Sequence, residues 1–352
     1  MTRDQYSRAI RPIEVKSSKS VSDLLSEMRQ TGFQGKKLGE VADVWEKMLR
    51  DKGTTIIMGY AGSLSVAGQW KIINWLISNR LIDVLVSTGA NISEDIVEAM
   101  GYHYWQGDHR VDDKSLGSVN RYYDVFGRDS DYMKMTNVVA DFIIQLRPHH
   151  RYTTWEFLYQ FGTWLYERNI RSIVAVAARY SVPVFCPAII DSCYGDAILL
   201  AKAKGFDIIL DQAKDFVDFT GLAERVKETG VIYVGGGVPK DFIQLLAVSS
   251  ALSSKRRKLN SRQGGSYDST TKTHYYPHKY AIQITTDSPQ WGGLSGATFE
   301  EAISWGKISD LKRTVQCYCD ATIALPIVSH ALSERKHKRI CPPVLTWLNG
   351  SA

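Results

Sequence analysis

Short apolar runs alternate with longer amphipathic stretches through most of the sequence. Seven runs rich in branched apolar residues predict strands, at 54–58, 83–87, 182–186, 207–210, 231–234, 280–285 and 315–319. Between them, apolar residues at helical spacing predict helices at 66–78, 155–168 and 300–305. Strands separated by helices favour a mostly parallel sheet with helices on both faces. We therefore predict a single doubly wound α/β sheet.

Changes in composition suggest how the chain is divided. Residues 1–50 are predicted to form a helical N-terminal segment, and 51–340 to hold the sheet. Within the second region, residues 253–279 are polar, lack periodicity and are rich in Ser, Thr, Gly and basic residues. Such a stretch is typical of an exposed insertion. Residues 341–352 are predicted to be a C-terminal tail.

The composition is that of an ordinary globular protein, with 44% hydrophobic and 23% charged residues among 352. No apolar run approaches the roughly 18 to 20 residues needed to cross a bilayer. The first fifteen residues lack the apolar segment of a secretory signal. The five cysteines form no CxxC pair, which favours free thiols in a reducing compartment. A cytoplasmic protein without membrane contact is expected.

The net charge of +6 raises the question of a nucleic-acid partner. Much of the excess positive charge lies in two local tracts, at 254–258 and 335–339. Both tracts adjoin polar, turn-rich residues, which favours solvated loops or tails. The sequence has no RNA-binding aromatic signature and no zinc-finger spacing. We expect neither a nucleic-acid partner nor a metal.

Several unusual turns follow the predicted strands, and ligands of doubly wound sheets bind beyond the carboxyl ends of strands. Gly235, Gly236 and Gly237 follow one strand and precede a helical segment, an arrangement that can bring backbone N–H groups to a phosphate. The run is neither GxGxxG nor a Walker sequence. A glycine-rich turn of this kind is also common without any ligand, so both interpretations stay open.

Acidic residues follow two other strands. Glu94 lies in a small-residue turn that leads into a helix, where it is either a helix-dipole partner or a carboxylate for ribose hydroxyls. Asp191 and Asp196 follow the run at 182–186, and one of them can serve as a helix cap.

A lysine stands in an apolar setting at Lys307, beside Trp305. A structural interpretation is available, because Thr298 and Glu301 have the form of a capping box and Gly306 that of a helix-ending glycine. A chemical interpretation is also available. Amines in apolar surroundings lose their protons more readily and become nucleophiles. An acid and an aromatic ring one helical turn apart also suit a cationic amine.

The segment 292–308, GGLSGATFEEAISWGKI, resembles the deoxyhypusine synthase family, as do GGGVPK at 235–240, DSCYGD at 191–196 and the DAT that follows the last strand. The similarity runs from residue 60 to about residue 332. It implies a Rossmann-like NAD-binding fold and an NAD-dependent transfer of the aminobutyl group of spermidine through an enzyme-lysine imine. Members of the family are typically homotetramers with active sites at dimer interfaces, so a homo-oligomer is expected.

The resemblance also implies a role for individual residues. The catalytic residue is Lys307. The residues that bind substrate are Ser93, Glu94, Asp196, Asp241, Gly292, Gly293, Glu301 and Trp305. The residues that bind NAD are Gly62, Ser63, Thr88, Gly89, Ala90, Glu94, Asp191, Gly235, Gly236, Gly237, Thr285, Thr286, Asp320, Ala321 and Thr322.

Three positions depart from the eukaryotic pattern of the family. Asp241 replaces a histidine, Gln283 a tyrosine and Leu294 an acid, and the 253–279 insertion is longer. These changes leave the acceptor open between a protein lysine, on a translation-factor precursor, and a small amine. They favour a small amine slightly, and putrescine as acceptor would give homospermidine.

Two other functions remain to be tested. A catalytically silent homologue would bind NAD or a partner enzyme as a regulatory subunit. From the fold alone, an unrelated NAD-dependent dehydrogenase or deacetylase-like protein is the third alternative. Both alternatives predict that Lys307 is dispensable.

Overall fold

The computed structural model describes residues 8–112, 117–252 and 275–335, together with four positions further on. Those four are Arg339, Pro342, Pro343 and Leu345. The basic tract at 254–258, residues 253–274 of the predicted insertion and most of the predicted tail lie outside the described residues. No helix in the described ranges is long and apolar enough to cross a membrane.

The described ranges contain twelve α-helices and eleven strands. In chain order the helices are α1 (Val21–Met28), α2 (Phe33–Arg50), α3 (Trp70–Ser78), α4 (Asn91–Ala99), α5 (Asp129–Ile143), α6 (Thr154–Glu167), α7 (Ile173–Arg179), α8 (Cys193–Ala203), α9 (Gln212–Thr220), α10 (Gly237–Ser249), α11 (Phe299–Ser304) and α12 (Ala321–Glu334). The strands are β1 (Thr54–Tyr60), β2 (Val84–Ser87), β3 (Trp105–Gln106), β4 (Val119–Tyr122), β5 (Val125–Arg128), β6 (Arg151–Tyr152), β7 (Val184–Phe185), β8 (Ile209–Leu210), β9 (Glu228–Val234), β10 (Tyr280–Thr285) and β11 (Thr314–Tyr318).

Six strands form one parallel sheet in the order β7-β2-β1-β9-β10-β11. This confirms the predicted doubly wound, Rossmann-like sheet. Counted along the chain, the six strands have the order 3-2-1-4-5-6, so the winding reverses between β1 and β9. The last residues of these two strands, Tyr60 and Val234, are partners in register. A ligand crevice is therefore expected at their carboxyl ends.

Burial on both faces explains why the central strands are continuous apolar runs. All seven residues of β1 and all six of β10 are buried. Ile56 and Met58 face one core, while Ile57 between them faces the other. Each fully buried side chain of this size contributes roughly 2 kcal/mol. Trp45 of α2 packs into the same core as Ile56, so the N-terminal helices pack with the sheet.

Two elements differ from the predicted strands and helices. The run at 207–210 does not join the main sheet, because its short strand β8 pairs with β6 in a separate two-stranded sheet. Ile209 is exposed, so this run lacks the burial of a central strand. The helix predicted at 66–78 begins only at Trp70. The antiparallel sheet β3-β5-β4 was not predicted, since its strands are short and half-exposed.

The ends of two segments predicted to be exposed are packed instead. Arg335 pairs with Asp43 and Glu46, and Arg339 pairs with the fully buried Asp83 at 2.6 Å. These arginines of the second basic tract are therefore not solvated. His278, near the end of the predicted insertion, is fully buried because it forms a β-bridge with Ile308. The predicted boundary at residue 50 stays a prediction.

Candidate active site

A crevice of about 470 Å³ opens at the carboxyl end of the sheet, where the winding reverses. This volume is in the range of cofactor and small-molecule sites. Eleven of the predicted cofactor residues line it: Gly62, Thr88, Gly89, Asp191, Gly235, Gly236, Gly237, Thr285, Thr286, Asp320 and Ala321. Nine further lining residues had no role assigned from the sequence: Ala61, Leu64, Ala188, Val238, Pro239, Ile284, Asp287, Ser295 and Cys319.

The glycine turn between β9 and α10 requires its glycines. Gly235 and Gly237 have φ of +75° and +57°, in the left-handed region that glycine adopts without strain. A Cβ on Gly236 would lie 2.4 Å from the Cα of Ser295, so only glycine fits there. The N–H of Gly237 donates to Ser295 Oγ at 3.0 Å. The turn thus brings bare backbone to the crevice at the start of a helix, the arrangement that suits a phosphate.

Two buried carboxyl groups stand behind one edge of the crevice. Ser63, beside the lining residue Gly62, donates its hydroxyl to Glu94 at 2.6 Å. Burial raises the pKa of Glu94 to about 7, against the lowering effect of that hydrogen bond. Burial likewise raises the pKa of Asp95 to about 7, although its carboxylate accepts a hydrogen bond from the backbone N–H of Ile173. This edge therefore titrates close to neutral pH.

Three other predicted site residues lie in helix starts. Ser93 was predicted to bind substrate, but it is buried and its hydroxyl donates to the carbonyl of Ala90 at 3.2 Å. This hydrogen bond lies within the first turn of α4, and the substrate-binding role of Ser93 stays a prediction. Thr322 donates its N–H to the carboxylate of Asp320, which caps α12. Ala90 and Thr322 therefore flank the crevice without lining it.

Helix α11 leads into Lys307, and both of its ends have the capping residues that the sequence predicted. Thr298 accepts the N–H of Glu301 at 3.2 Å and caps the helix. At the other end, Gly306 has φ +76° and donates its N–H to Ile303, while Lys307 donates its N–H to Ala302. These two bonds form a Schellman motif. These hydrogen bonds fix the backbone of Lys307. The role of the residue therefore depends on the contacts of its side chain.

The side chain of Lys307 turns toward α10 and meets polar partners there. Its Nζ lies 3.2 Å from Asp241 Oδ1 and 3.3 Å from Gln244 Oε1. The same Nζ is 5.6 Å from the ring centre of Trp305. The side chain is 14% exposed, so it stays open to solvent at one end. We call Lys307, Asp241, Gln244 and Trp305 the lysine cluster.

The lysine cluster is close to the crevice, because α10 connects them. Gly237 lines the crevice, and Asp241 follows it by one helical turn, about 6 Å along the axis. The carbonyl of Lys307 also accepts the N–H of His278 at 3.0 Å, which ties the cluster to the β-bridge. Burial lowers the pKa of His278 to about 4, so this histidine is neutral at physiological pH.

A second lysine, Lys240, was not recognised from the sequence. It is 1% exposed, and its Nζ has three acceptors: Gln283 Oε1 at 3.0 Å and the carbonyls of Leu294 at 3.0 Å and Ala297 at 2.8 Å. Burial lowers its pKa to about 8. The signal was available, since Lys240 lies on the same helical face as the buried Ile243. The amine of Lys240 is buried and fully hydrogen-bonded, so no substrate can reach it and it cannot replace Lys307 as the nucleophile.

The remaining predicted substrate residues fall into two places. Glu301 is exposed on α11, and its negative charge acts on Lys240 from that side. Gly292 and Gly293 form an exposed turn just before α11. Asp196 lies instead at the start of α8, where its carboxylate accepts the hydroxyl of Tyr132 at 2.9 Å. Within the described residues, no contact joins Asp196 to the lysine cluster.

These features define a class of protein. A doubly wound parallel sheet has a glycine-lined crevice at its switch point, and a lysine paired with a carboxylate lies one helical turn away. This is a Rossmann-like protein with a site suited to amine chemistry.

Comparison with known proteins gives the family. The family model for deoxyhypusine synthase matches residues 23–332. A "Probable deoxyhypusine synthase 2" from Methanosarcina acetivorans is 44% identical over 342 residues, which cover 96% of this chain and 93% of that protein. Another from Archaeoglobus fulgidus is 44% identical over 307 residues, covering 87% and 95%. The chain belongs to the deoxyhypusine synthase family, whose members are transferases that move the aminobutyl group of spermidine.

The fold is also found in a solved structure. A candidate deoxyhypusine synthase from Entamoeba histolytica has a TM-score of 0.63 and 17% identity, and the match covers 95% of this chain and 100% of that one. At this identity the likeness shows a shared fold.

Proposed function

We propose that this protein is an NAD-dependent aminobutyltransferase that takes the 4-aminobutyl group of spermidine onto Lys307 and passes it to an acceptor amine. One observation carries the proposal within this family. The amine of Lys307 faces a carboxylate, Asp241, one helical turn from the glycine turn of the crevice.

The residues of the crevice fit NAD. In the glycine turn, the space beside Gly237 is open at the start of α10, where a pyrophosphate would lie against bare backbone. The carboxylates of Asp191 and Asp320 line the same crevice and suit ribose hydroxyls. NAD, when bound, would accept a hydride from the carbon next to the secondary nitrogen of spermidine and return it at the end.

Lys307 carries the group between these two redox events. Its amine forms a bond to the oxidised carbon, and 1,3-diaminopropane leaves with the electron pair of the broken carbon–nitrogen bond. The acceptor amine then takes the place of Lys307 on that carbon and frees the lysine. Asp241, 3.2 Å from Nζ, would receive the proton that Lys307 must lose before it attacks. Trp305 and Glu301 would offer a ring face and a negative charge to the ammonium end of the polyamine.

The departures from the eukaryotic pattern bear on the acceptor. Gln283 is fully buried and hydrogen-bonded to Lys240, so its side chain cannot contact a substrate. Leu294 gives no charge, while Asp241 adds one beside Lys307. Compared with the eukaryotic pattern, a negative charge is therefore lost at position 294 and gained at position 241, beside Lys307. We favour a small amine such as putrescine as acceptor, which would give homospermidine, over a protein lysine.

Borohydride trapping tests the central step. The protein is incubated with labelled spermidine and NAD+, reduced with borohydride, digested and mapped. We expect label on the peptide that holds Lys307, and none when NAD+ is left out. Label on another peptide would defeat the proposed mechanism.

The acceptor is tested by competition. The protein is given labelled spermidine and NAD+ together with putrescine or with a translation-factor precursor protein. Labelled homospermidine would support the small amine. Label on the precursor protein would assign the protein lysine instead, with the same chemistry at Lys307.

We also propose that the protein is a homo-oligomer, a tetramer, that acts in the cytoplasm. Exposed apolar side chains surround the crevice and α11: Ile190, Val238, Trp291, Trp305 and Ile323. Apolar groups gathered around a site in this way favour a protein partner, and a second copy would also bring another Asp196. Light scattering should give a multiple of the 39.6 kDa chain mass, and Val238→Lys should lower it.

A further inference from the structure

One buried side-chain network joins the crevice to the lysine cluster. Lys240 uses all three of its N–H donors, on Gln283, Leu294 and Ala297. Gln283 in turn donates to the carbonyls of Gly235 at 3.0 Å and Ser295 at 2.8 Å.

Gln316, the neighbour of Gln283 in the sheet, completes the network. It donates to Gln283 Oε1 at 2.9 Å and to the carbonyl of Ala297 at 3.1 Å. Its own Oε1 accepts the N–H of Phe299, the first residue of α11, at 3.1 Å. A fully satisfied buried network of this kind is rigid, and losing one member leaves the others without partners. We call Lys240, Gln283 and Gln316 the clamp.

Most bonds of the clamp hold one short segment, residues 294–297, and the others reach Gly235 and Phe299. One end of that segment carries Ser295, which lines the crevice and bonds the glycine turn. The other end leads through Thr298 into α11 and so to Lys307. The position of this segment therefore sets how far the nucleophile stands from the crevice.

We propose that Lys240 is a positioning residue that fixes segment 294–297, and through it the placement of Lys307 relative to the crevice. The inference rests on the aminobutyl transfer proposed above. It explains why a cation is kept where no solvent reaches: three backbone and side-chain acceptors converge on one point, and an ammonium group is the side-chain donor that satisfies all three. It also gives Gln283 a role, since an amide both accepts from Lys240 and donates to Ser295.

The test separates positioning from folding and from intrinsic reactivity. Lys240→Met is compared with the wild type, with Lys240→Arg and with Lys214→Met, an exposed lysine on α9. Three quantities are measured: the dissociation constant of NAD+, the labelling of Lys307 by butanal and cyanoborohydride, and the NAD-dependent trapping of labelled spermidine. Labelling by the aldehyde measures the reactivity of the Lys307 amine independently of NAD+, because the reaction needs no dinucleotide.

We expect Lys240→Met to slow NAD-dependent trapping about 30-fold, while NAD+ binding and aldehyde labelling change less than about 3-fold. Lys240→Arg should recover part of the trapping rate, and Lys214→Met should behave as wild type. Equal losses in all three measurements would show a merely structural role and overturn the proposal, as would unchanged trapping. If Lys240→Met does not fold, Gln283→Met removes one acceptor of Lys240 together with the other three hydrogen bonds of Gln283, and it is held to the same criteria.

The proposed function is judged separately, in the wild type. If wild-type protein takes no label from spermidine and NAD+, aminobutyl transfer fails and the inference fails with it. If the wild type is labelled and Lys240→Met is labelled as fast, only the inference fails. A double variant, Lys240→Met with Gln283→Met, should lose no more than about twice what the worse single variant loses, because both act through one segment.

Discussion

The crevice and the lysine cluster are joined by α10 and by residues 294–297, but they are built differently. The crevice is lined by residues of glycine-rich turns and helix starts at the carboxyl ends of adjacent parallel strands, together with Ser295. The lysine cluster is made of side chains that α10 and the end of α11 bring together. The sheet positions most of the crevice, whereas the lysine cluster depends on where a short helix is placed.

This difference predicts that NAD+ binding at the crevice and amine reactivity at the lysine cluster can be lost independently. We call the crevice and the lysine cluster the two halves of the site. A change at the crevice should weaken NAD+ binding and leave the lysine reactive. A change in the lysine cluster should stop transfer and leave NAD+ binding intact.

Lys307→Ala should abolish transfer and leave the crevice working. We expect the rate of product formation to fall about 10⁴-fold or more, a barrier increase of about 5 kcal/mol, because no other described lysine presents an amine there. NAD+ affinity should change less than about 2-fold. The measurements are diaminopropane release and NAD+ titration. Lys312→Ala, an exposed lysine nearby in the chain, is the control. Full diaminopropane release by Lys307→Ala would remove Lys307 from the mechanism, whereas NAD+ binding without release in the wild type would favour a catalytically silent homologue.

Gly236→Ala should do the reverse. The new methyl group would lie 2.4 Å from the Cα of Ser295, so the glycine turn or segment 294–297 must move. We expect NAD+ to bind about 100-fold more weakly, a loss of about 2.7 kcal/mol. Butanal labelling of Lys307 should persist. The matched control is Gly221→Ala, where a Cβ meets no atom within 4 Å. Unchanged NAD+ affinity in Gly236→Ala would show that the dinucleotide does not use this turn.

Asp241→Asn should slow transfer without changing the crevice. The amide keeps the shape of the side chain but takes up no proton from Lys307, so imine formation should slow about 30-fold. The rate of borohydride-trapped label is the measurement. Glu300→Gln removes an exposed acid from α11 and should have no effect. A variant as fast as wild type would remove Asp241 from the proton transfer and leave it as an ion-pair partner.

The same division explains what the sequence alone could reveal. Strand ends are readable because buried parallel strands are continuous apolar runs, and glycines mark the turns beyond them. Strand ends located the turn at 235–237 and the stretch that holds Asp191, while the family resemblance assigned these residues and Thr88 to one cofactor site. The end of α11 was readable too, because a capping threonine and a C′ glycine act locally.

Contacts between distant residues could not be predicted in this way. Asp241 and Lys307 are 66 positions apart, and Tyr132 and Asp196 are 64 apart. No local pattern states that these side chains meet. The role of Ser93 stays a prediction, since the family resemblance assigns it to the substrate while its hydroxyl donates to the carbonyl of Ala90 in the helix start. Lys240 shows that an inward-facing lysine on an apolar helix face is a signal worth following.

The two halves also differ in how their buried titratable groups change the free energy of unfolding with pH. At the lysine side, the pKa of His278 is lowered to about 4, so its contribution is present above its unfolded pKa of about 6.5 and is lost as pH falls. At the crevice side, the pKa of Asp95 is raised to about 7. Its contribution is complete below the unfolded value of about 4 and is lost as pH rises through 7.

Asp95→Asn isolates the crevice-side effect. The amide can still accept the backbone N–H of Ile173, but it does not ionise, so it avoids the cost of a buried charge at high pH. Relative to wild type, we expect the free energy of unfolding of Asp95→Asn to rise by about 2.6 kcal/mol between pH 5 and pH 8. Urea titrations across this range measure it, and Asp23→Asn, an exposed acid on α1, should run parallel to wild type. Parallel curves for Asp95→Asn would mean that this carboxyl group does not titrate between pH 5 and pH 8, and the contrast in proton response between the two halves would then be wrong.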